Sequence, residues 1–252
     1  MFADDALTDD AFLSGRLRLW QPAQGYRAAT DPVLLAAACP ARAGDRVLDL
    51  GCGAGAAALC LGTRVAGLHL TGLELQPAYA DLARRNASRN GMALEVIEGD
   101  LRQVPLALRR EFDQVVCNPP YYPPGGTPSP TPARAVAMQV DEVPLADWLR
   151  AAARRLRPGG WLTMITGADA LPELLGNLGT LGSAAVLPLA ARTGREAKRV
   201  ILRARKGGRA RFRLLPPLIL HSGAAHEGDR EAYTPEANAI LRMGCDLSAQ
   251  FS

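Results

Sequence analysis

The chain has 252 residues, 48% of them hydrophobic, which is enough for one domain with a large buried core. Its formal net charge is only +4, and it contains no run of 18 apolar residues and no basic leader before an apolar segment. Its five cysteines and three histidines form no spaced cluster, so we expect neither a disulfide framework nor a metal site. We also expect a soluble, cytoplasmic protein without a membrane segment or an obligate protein partner.

Strand-like and helix-like segments alternate along the chain. Strands are predicted at 46–50, 68–74, 94–100, 112–117 and 161–166, and helices at 56–65, 77–90, 144–156 and 171–181. Two later strands, 198–205 and 212–220, are joined by "KGGRAR" and predict an antiparallel hairpin over 198–220. The alternation predicts an α/β fold, with a mostly parallel, seven-stranded sheet and helices on both of its faces.

The first four predicted strands end in polar residues. Asp49 lies near the end of the first strand, Glu74 ends the second, Asp100 ends the third and Asn118 follows the fourth. The carboxyl ends of parallel strands meet at one edge of the sheet, and ligands bind beyond that edge. We therefore expect these four side chains to lie around one site.

The glycine-rich loop after the first strand, "DLGCGAG" at 49–55, indicates which ligand this site takes. It differs from the dinucleotide fingerprint because its third glycine comes one residue early and an acidic residue precedes it. Asp49 would repel a pyrophosphate but not a cationic sulfonium, which favours S-adenosylmethionine over NAD. Gly51 and Gly53 let the backbone approach the ligand. Asp49 would then lie near the methionine end, Glu74 would accept the ribose hydroxyls and Asp100 the adenine amino group.

The segment "CNPPYYPPGG" at 117–126 follows the fourth strand directly, although its prolines suit neither a helix nor a central strand. Here the sequence resembles the class I S-adenosylmethionine-dependent methyltransferases, which have a Rossmann-like fold, over residues 44–205. "NPPY" narrows the resemblance to enzymes that methylate a planar nitrogen: N6 of adenine, N4 of cytosine or the amide of glutamine. The resemblance implies a catalytic tetrapeptide of Asn118, Pro119, Pro120 and Tyr121. In such enzymes the asparagine side chain and the carbonyl of the following proline accept hydrogen bonds from the amino group, and the tyrosine offers a stacking face.

A longer pattern, "GYRAATDPVLLAA … VLDLGCGAG … NPPYY … ARAVAM … REAYTPEA", is similar to one bacterial family over nearly the whole chain. Its members methylate N6 of the adenine beside the anticodon of a valine tRNA. The resemblance implies tRNA as partner, and S-adenosylmethionine as a cofactor that leaves as S-adenosylhomocysteine. It divides the chain into an extension at 1–43 that contributes to the cofactor pocket and a methyltransferase domain at 44–252. The predicted cofactor-binding residues are Thr30, Asp31, Asp49, Gly51, Gly53, Glu74, Leu75, Asp100, Leu101 and Asn118.

Positive charge is concentrated at 192–213, where ten Arg and Lys stand against one Glu. This net charge of +9 leaves −5 for the rest of the chain, an excess that is typical of a polyanion-binding face. The alternative is a solvated strand made arginine-rich by coding bias, since the chain has 27 Arg and only two Lys. The predicted RNA-binding residues are Arg134, Lys198, Arg199, Arg203 and Arg205. Arg134 belongs to a proline-rich segment, 122–140, that is a candidate lid.

Other functions remain open on the sequence alone. The glutamine methyltransferases of release factors also carry NPPY, but that family has a substantial helical domain before its first strand, and here only 45 residues precede it. A ribosomal RNA or DNA adenine methyltransferase agrees with the same spacing. An RNA-binding protein that kept a methyltransferase fold is the non-enzymatic alternative, and the intact NPPY and acidic strand ends argue against it.

Overall fold

The computed structural model describes residues 1–120, 143–223 and 232–251 of the chain. Its strands are β1 (Leu7–Phe12), β2 (Leu17–Pro22), β3 (Arg46–Leu50), β4 (His69–Glu74), β5 (Leu94–Glu98), β6 (Phe112–Cys117), β7 (Leu156–Gly167), β8 (Leu181–Ala190), β9 (Ala197–Lys206), β10 (Arg213–Leu214) and β11 (Leu218–Ile219). Its α-helices are α1 (Asp31–Ala38), α2 (Ala56–Arg64), α3 (Pro77–Arg89), α4 (Leu145–Arg155), α5 (Leu171–Gly176) and α6 (Pro235–Met243).

One central sheet contains all of the strands except β1 and β2. Its seven long strands lie in the order β5-β4-β3-β6-β7-β9-β8, and the short β10 and β11 pair with the outer side of β8. Neighbouring strands are parallel except at β9, which is antiparallel to both β7 and β8. The predicted class I, Rossmann-like sheet is therefore confirmed, and the two short strands extend it at one edge.

The C-terminal half differs from the prediction in its strand pairing. The predicted helix at 171–181 ends at Gly176, and strand β8 follows it. β8 is buried along most of its length, and such an apolar run is hard to tell from a buried helix by periodicity. The predicted late antiparallel pairing is present, but β8 and β9 form it, and the segment 212–220 does not pair with β9. Residues 212–220 contain Pro216 and Pro217, which have no N–H to donate, and form only β10 and β11.

Helices cover both faces of the sheet. On one face α1, α2 and α6 pack in a cluster that includes Leu35, Leu59 and Ile240. On the other, α4 and α5 pack in a cluster that includes Leu149 and Leu174. Successive strand residues alternate between the two clusters, as the pleat of a strand requires. Among the described residues, no helix combines the length and the apolar character needed to cross a membrane.

The N-terminal residues form an antiparallel hairpin, β1–β2, that packs on α3. Asn86 is fully buried, and its amide accepts from the Trp20 N–H at 2.8 Å and donates to the Trp20 carbonyl at 3.0 Å. Asn90, one helical turn later, makes the same pair of bonds with Arg18 at 3.0 and 2.8 Å. These two side chains hold the free edge of β2, and so fix the loop that follows it against the rest of the domain.

Candidate active site

The carboxyl ends of β3, β4, β5 and β6 lie side by side at one edge of the sheet. In the strand register, Leu50 at the end of β3 is paired with Leu73 of β4 and Cys117 of β6, while Glu74 is paired with Glu98 of β5. The polar residues that the sequence assigns to these strand ends are therefore brought together at one edge.

The loop after β3 folds over the end of β4. The N–H groups of Gly51 and Cys52 both donate to the Leu73 carbonyl, at 2.8 and 3.0 Å. Gly51 has a φ of +66°, and a Cβ at this position would lie 2.5 Å from the Trp148 ring. Only glycine meets both requirements, because other residues rarely adopt a positive φ and the ring leaves no room for a side chain. Trp148, from α4, thus closes one wall of the site.

Two adjoining cavities, of about 200 and 40 Å³, occupy this edge. The lining residues that they share are Tyr26, Gly51, Gly53, Tyr79 and Asn118. Five further predicted site residues, Glu74, Leu75, Asp100, Leu101 and Pro120, line the larger cavity, and Asp49 lines the smaller one. Pro119 is buried behind them. The two cavities therefore form one continuous pocket around the glycine loop.

Glu74 is a buried carboxylate whose orientation the backbone fixes. One carboxylate oxygen accepts from the Gly53 N–H at 2.9 Å and the other from the Gln76 N–H at 2.8 Å. Burial raises the pKa of Glu74, and these N–H groups oppose the rise. Each oxygen keeps a further lone pair, so the carboxylate can still accept a hydroxyl group of a ligand.

Asp49 is buried more deeply and is only 2% exposed. Its carboxylate accepts from the Ala58 N–H in the first turn of α2 at 3.1 Å. Burial raises the pKa of Asp49 to about 7, and the negative charge of Glu74 contributes in the same direction. The pocket thus contains two buried carboxyl groups that repel each other, an arrangement that a cationic ligand would stabilise.

Asp100 lies at the outer end of the pocket and is paired with its neighbour Arg102. Its carboxylate accepts from the Arg102 N–H at 2.8 Å and from the Arg102 guanidinium at 2.7 Å. The guanidinium lowers the pKa of Asp100, which is an ionised acceptor at neutral pH. The contact of Asp100 with an adenine amino group remains a prediction.

Asn118 begins directly after β6 and projects between the two cavities. Its Nδ2 donates to the Tyr26 hydroxyl at 3.1 Å. This bond orients the side-chain amide with Nδ2 towards Tyr26, so Oδ1 is the amide atom that can accept from a substrate amino group. Burial and the charge of Asp49 raise the pKa of Tyr26 to about 12, which keeps its hydroxyl protonated.

Three aromatic residues that line this pocket in the described part of the chain were not predicted from the sequence: Tyr26, Tyr79 and Trp148. Tyr26 comes from the N-terminal extension, where buried Gln21 holds the loop through both N–H and carbonyl of Ala28, at 2.7 and 3.1 Å. The Tyr79 hydroxyl, from α3, donates to the Tyr26 carbonyl at 3.2 Å. No local pattern marks such residues, because they reach the pocket only through the packing of separate elements.

Thr30 and Asp31, predicted to contact the cofactor, do not line either cavity of the pocket. Thr30 is the N-cap residue of α1, and Asp31 is its first helical residue. Asp31 forms an ion pair with Arg199, whose guanidinium also lies 3.5 Å from the Thr30 hydroxyl. Asp31, predicted to bind the cofactor, and Arg199, predicted to bind RNA, therefore join α1 to β9.

The predicted RNA-binding residues divide between opposite edges of the sheet. β9 runs antiparallel to β7, so Lys198 and Arg199 lie at the edge of the pocket, and Arg205 lies about 20 Å away at 3.3 Å per residue. Arg203 is an error of the prediction. It is only 7% exposed, and its guanidinium lies between the rings of Trp161 and Phe251, 5.0 and 4.5 Å from their centroids.

The lining of the pocket suits S-adenosylmethionine. Its two buried carboxyl groups suit a cationic sulfur, its glycine loop leaves room beside the backbone, and Leu75 and Leu101 offer apolar surface to a base. Within residues 1–120, 143–223 and 232–251 there is no group of three or more His, Cys, Asp and Glu side chains that could hold a metal.

Comparison with known proteins identifies the family. The family model "Methyltransferase small domain" matches residues 29–173. A tRNA1(Val) (adenine(37)-N6)-methyltransferase of Aeromonas hydrophila is 33% identical over 183 residues, which are 71% of this chain and 76% of that protein. A release factor glutamine methyltransferase of Deinococcus radiodurans is 36% identical over 171 residues, but they are only 59% of that protein.

Among solved structures, a protein of Agrobacterium tumefaciens described as a predicted O-methyltransferase has a TM-score of 0.68 and 28% identity, covering 85% of this chain and 97% of its own. The strand order, the pocket at the carboxyl edge and these matches agree with one another. The chain belongs to the methyltransferase small domain family and, within it, to the family of the bacterial tRNA1(Val) adenine-N6 methyltransferases.

Proposed function

We propose that the chain methylates the N6 amino group of an adenine in RNA, at the adenine beside the anticodon of a tRNA, with S-adenosylmethionine as the methyl donor. The observation that carries this proposal is the position of Asn118. It follows β6, lies between the two cavities and is oriented by Tyr26 at 3.1 Å. The name of the Aeromonas relative supports the choice of RNA and of adenine. A tRNA substrate implies action in the cytoplasm.

Asp49, Glu74 and Asp100 would hold the cofactor at its methionine, ribose and adenine parts. When bound, S-adenosylmethionine supplies an electrophilic methyl group on a cationic sulfur. The glycine loop would keep the backbone close to the cofactor, and the deeply buried Asp49 would favour the positive charge. In this arrangement the pocket would bind the cofactor and orient its methyl group, with Trp148 and Tyr79 as part of its wall.

Asn118 and Pro119 would hold the substrate amino group. The Asn118 Oδ1 and the Pro119 carbonyl each accept one N–H, which favours a tetrahedral nitrogen with its lone pair directed at the methyl group. The acceptors are preorganised, because proline restricts the backbone and Tyr26 orients the amide. The nitrogen gains one methyl group and gives up one proton, and release of that proton to water requires no strong base.

Two predicted substrate-binding residues, Tyr121 and Arg134, lie outside the described residues, as does the candidate lid at 122–140. Tyr121 is proposed to stack on the adenine, which must leave its own stack to reach the pocket. Lys198 and Arg195 are exposed at the end of the sheet that carries the pocket, and we propose that they contact RNA phosphates. Arg205, at the opposite edge, is not part of this face.

Methylation of a glutamine amide in a release factor is the second candidate, supported by the similarity to the Deinococcus relative. The side chain of an asparagine and the carbonyl of a neighbouring proline could hold either a glutamine amide or an adenine amino group. The N-terminal extension favours the RNA candidate. It forms a hairpin on α3 and supplies Tyr26 to the pocket, in contrast to the helical domain expected of a release factor enzyme.

Two parallel methylation assays distinguish the two candidates. Purified protein is incubated with labelled S-adenosylmethionine and either unmodified tRNA transcripts or unmethylated release factor, and methylated nucleosides and peptides are identified by mass spectrometry. N6-methyladenosine beside the anticodon is the expected product, and Asn118→Ala is expected to abolish it while cofactor binding survives. Methylglutamine alone, or no product with either substrate, would refute the proposal.

A further inference from the structure

A second, larger concavity lies beside the cofactor pocket. It is a groove of about 960 Å³ between residues 101–109 and helix α4. Its lining contains five arginines and one acidic residue: Arg102, Arg109, Arg150, Arg154, Arg155 and Asp147. Leu101 lines both the groove and the cofactor pocket, so the two are adjacent. No function is predicted for this groove from the sequence.

The groove does not neutralise its own positive charge. Arg102 is paired with Asp100 at 2.7 Å, and Arg150 with Asp147. For Arg109, Arg154 and Arg155, the part of the chain that the structure describes provides no carboxylate within ion-pair distance. Arg155 donates to the Leu108 carbonyl at 2.8 Å, while its buried Nε has no hydrogen-bond acceptor. Burial and the charges of Arg109 and Arg154 lower the pKa of Arg155.

Helix stability explains only part of this arrangement. Arg154 and Arg155 lie in the last turn of α4, where cations interact favourably with the helix dipole. Arg150 lies four residues before Arg154, so both project from the same exposed side of the helix. The dipole gives no reason for Arg109, which comes from a separate segment and lines the same groove. Three guanidinium groups from two elements thus share one concavity in which the described residues supply them no counterion.

We propose that this groove binds the phosphodiester backbone of the RNA substrate. The inference rests on the proposed function, because it extends the substrate from the adenine pocket across Leu101 to the face of α4. Guanidinium groups bind phosphate oxygens through paired hydrogen bonds and remain charged, and a groove of this volume is far larger than one phosphate group. Phosphate groups bound at Arg109 and Arg154 would reduce the repulsion between these like charges.

The test uses the full chain and a pair of matched double variants. R109Q/R154Q removes two exposed charges from the groove and leaves Arg155, with its bond to Leu108, in place. R209Q/R211Q removes two exposed charges from residues that do not line the groove. Binding of unmodified tRNA is measured by fluorescence anisotropy at several salt concentrations, with S-adenosylmethionine affinity and thermal unfolding as checks of folding.

We expect the groove variant to weaken tRNA binding about tenfold and to reduce the slope of log K against log salt by about 1.5 to 2, because two phosphate contacts are lost. The control should stay within about twofold of the wild type. Equal tRNA affinity of groove variant and wild type would overturn the proposal. The proposal would also be overturned if the groove variant bound tRNA as the wild type does but had lost affinity for a nucleoside triphosphate, because the groove would then bind a small polyanion. If the wild type itself neither binds nor methylates tRNA, the proposed function fails first, and that result is distinct from a failure of the groove alone.

Discussion

Replacing Asp49 by asparagine separates the contribution of this residue to ligand binding from its cost to stability. Burial raises the pKa of Asp49 from 3.8 to about 7, so the fold favours the protonated carboxyl group. Stability is therefore full below the unfolded pKa and falls as the pH rises towards the folded pKa. The rise corresponds to about 4 kcal/mol at pH 7, at about 1.36 kcal/mol per pH unit.

Asparagine cannot ionise, so the free energy of unfolding of Asp49→Asn should lack this pH dependence. Between pH 5 and pH 7 the stability of the variant relative to the wild type is expected to increase by about 2 kcal/mol. The constant part of the difference depends on whether the buried amide finds a hydrogen-bond acceptor, and the comparison across pH removes it. The bond from the Ala58 N–H can persist, because the asparagine side chain keeps a carbonyl oxygen.

Urea unfolding at pH 5, 6 and 7, without cofactor, measures the difference, and Asp5→Asn is the control for loss of an exposed carboxyl group. The same variant should bind S-adenosylmethionine at least about tenfold more weakly at pH 7.5, because one charge that favours the sulfonium is lost. A stability difference that does not change with pH would refute the account of Asp49 as a buried, perturbed carboxyl group. Unchanged cofactor affinity would refute its place in the pocket.

Three further variants test other parts of the site. Tyr26→Phe removes the hydroxyl that accepts a hydrogen bond from Asn118 Nδ2. It should lower kcat about tenfold and leave the cofactor Kd within about twofold. A change in Kd alone, with kcat preserved, would contradict a role of Tyr26 in orienting Asn118. Gly51→Ala should destabilise the protein by about 2 to 4 kcal/mol and alter tryptophan fluorescence, because its Cβ would lie 2.5 Å from the Trp148 ring. Gly44→Ala is the matched control, since Gly44 also has a positive φ but no atom lies within 4 Å of its Cβ, and equal effects in urea unfolding would show that Trp148 does not close the site. R195E/K198E should weaken tRNA binding about a hundredfold at low salt, while R209E/R211E changes it little; the reverse order in anisotropy measurements would move the RNA face to the opposite edge.

Residues whose position follows from the strand pattern could be predicted from the sequence. The carboxyl end of a parallel strand is fixed once its apolar run is recognised, and Asp49, Glu74 and Asn118 are found at such ends in one pocket. Gly51 could be predicted as a close approach of the backbone, although not as a contact of Trp148. The cap of α6 by Thr234, whose hydroxyl accepts from the Ala237 N–H at 3.1 Å, follows from the same local logic.

Residues whose role depends on tertiary contacts could not be predicted from the sequence. Tyr26 and Trp148 are brought to the pocket by a loop and a helix that are remote in sequence. Asp31 and Arg199 form an ion pair, although the sequence analysis assigned Asp31 to the cofactor and Arg199 to RNA. Arg203 shows the same limit, because a basic run says nothing about which of its members face solvent when the strand is buried on both sides.

In the proposed function, Asn118 presents an RNA adenine to a methyl donor held at the carboxyl edge of the sheet. Nucleoside mass spectrometry of unmodified tRNA after incubation with the protein and S-adenosylmethionine tests it most directly. We expect one N6-methyladenosine beside the anticodon with the wild type. With Asn118→Ala we expect the rate to fall at least about a hundredfold, while the cofactor affinity stays within about threefold. Methylation that persists in Asn118→Ala, or a methyl group on another atom or another class of substrate, would contradict it.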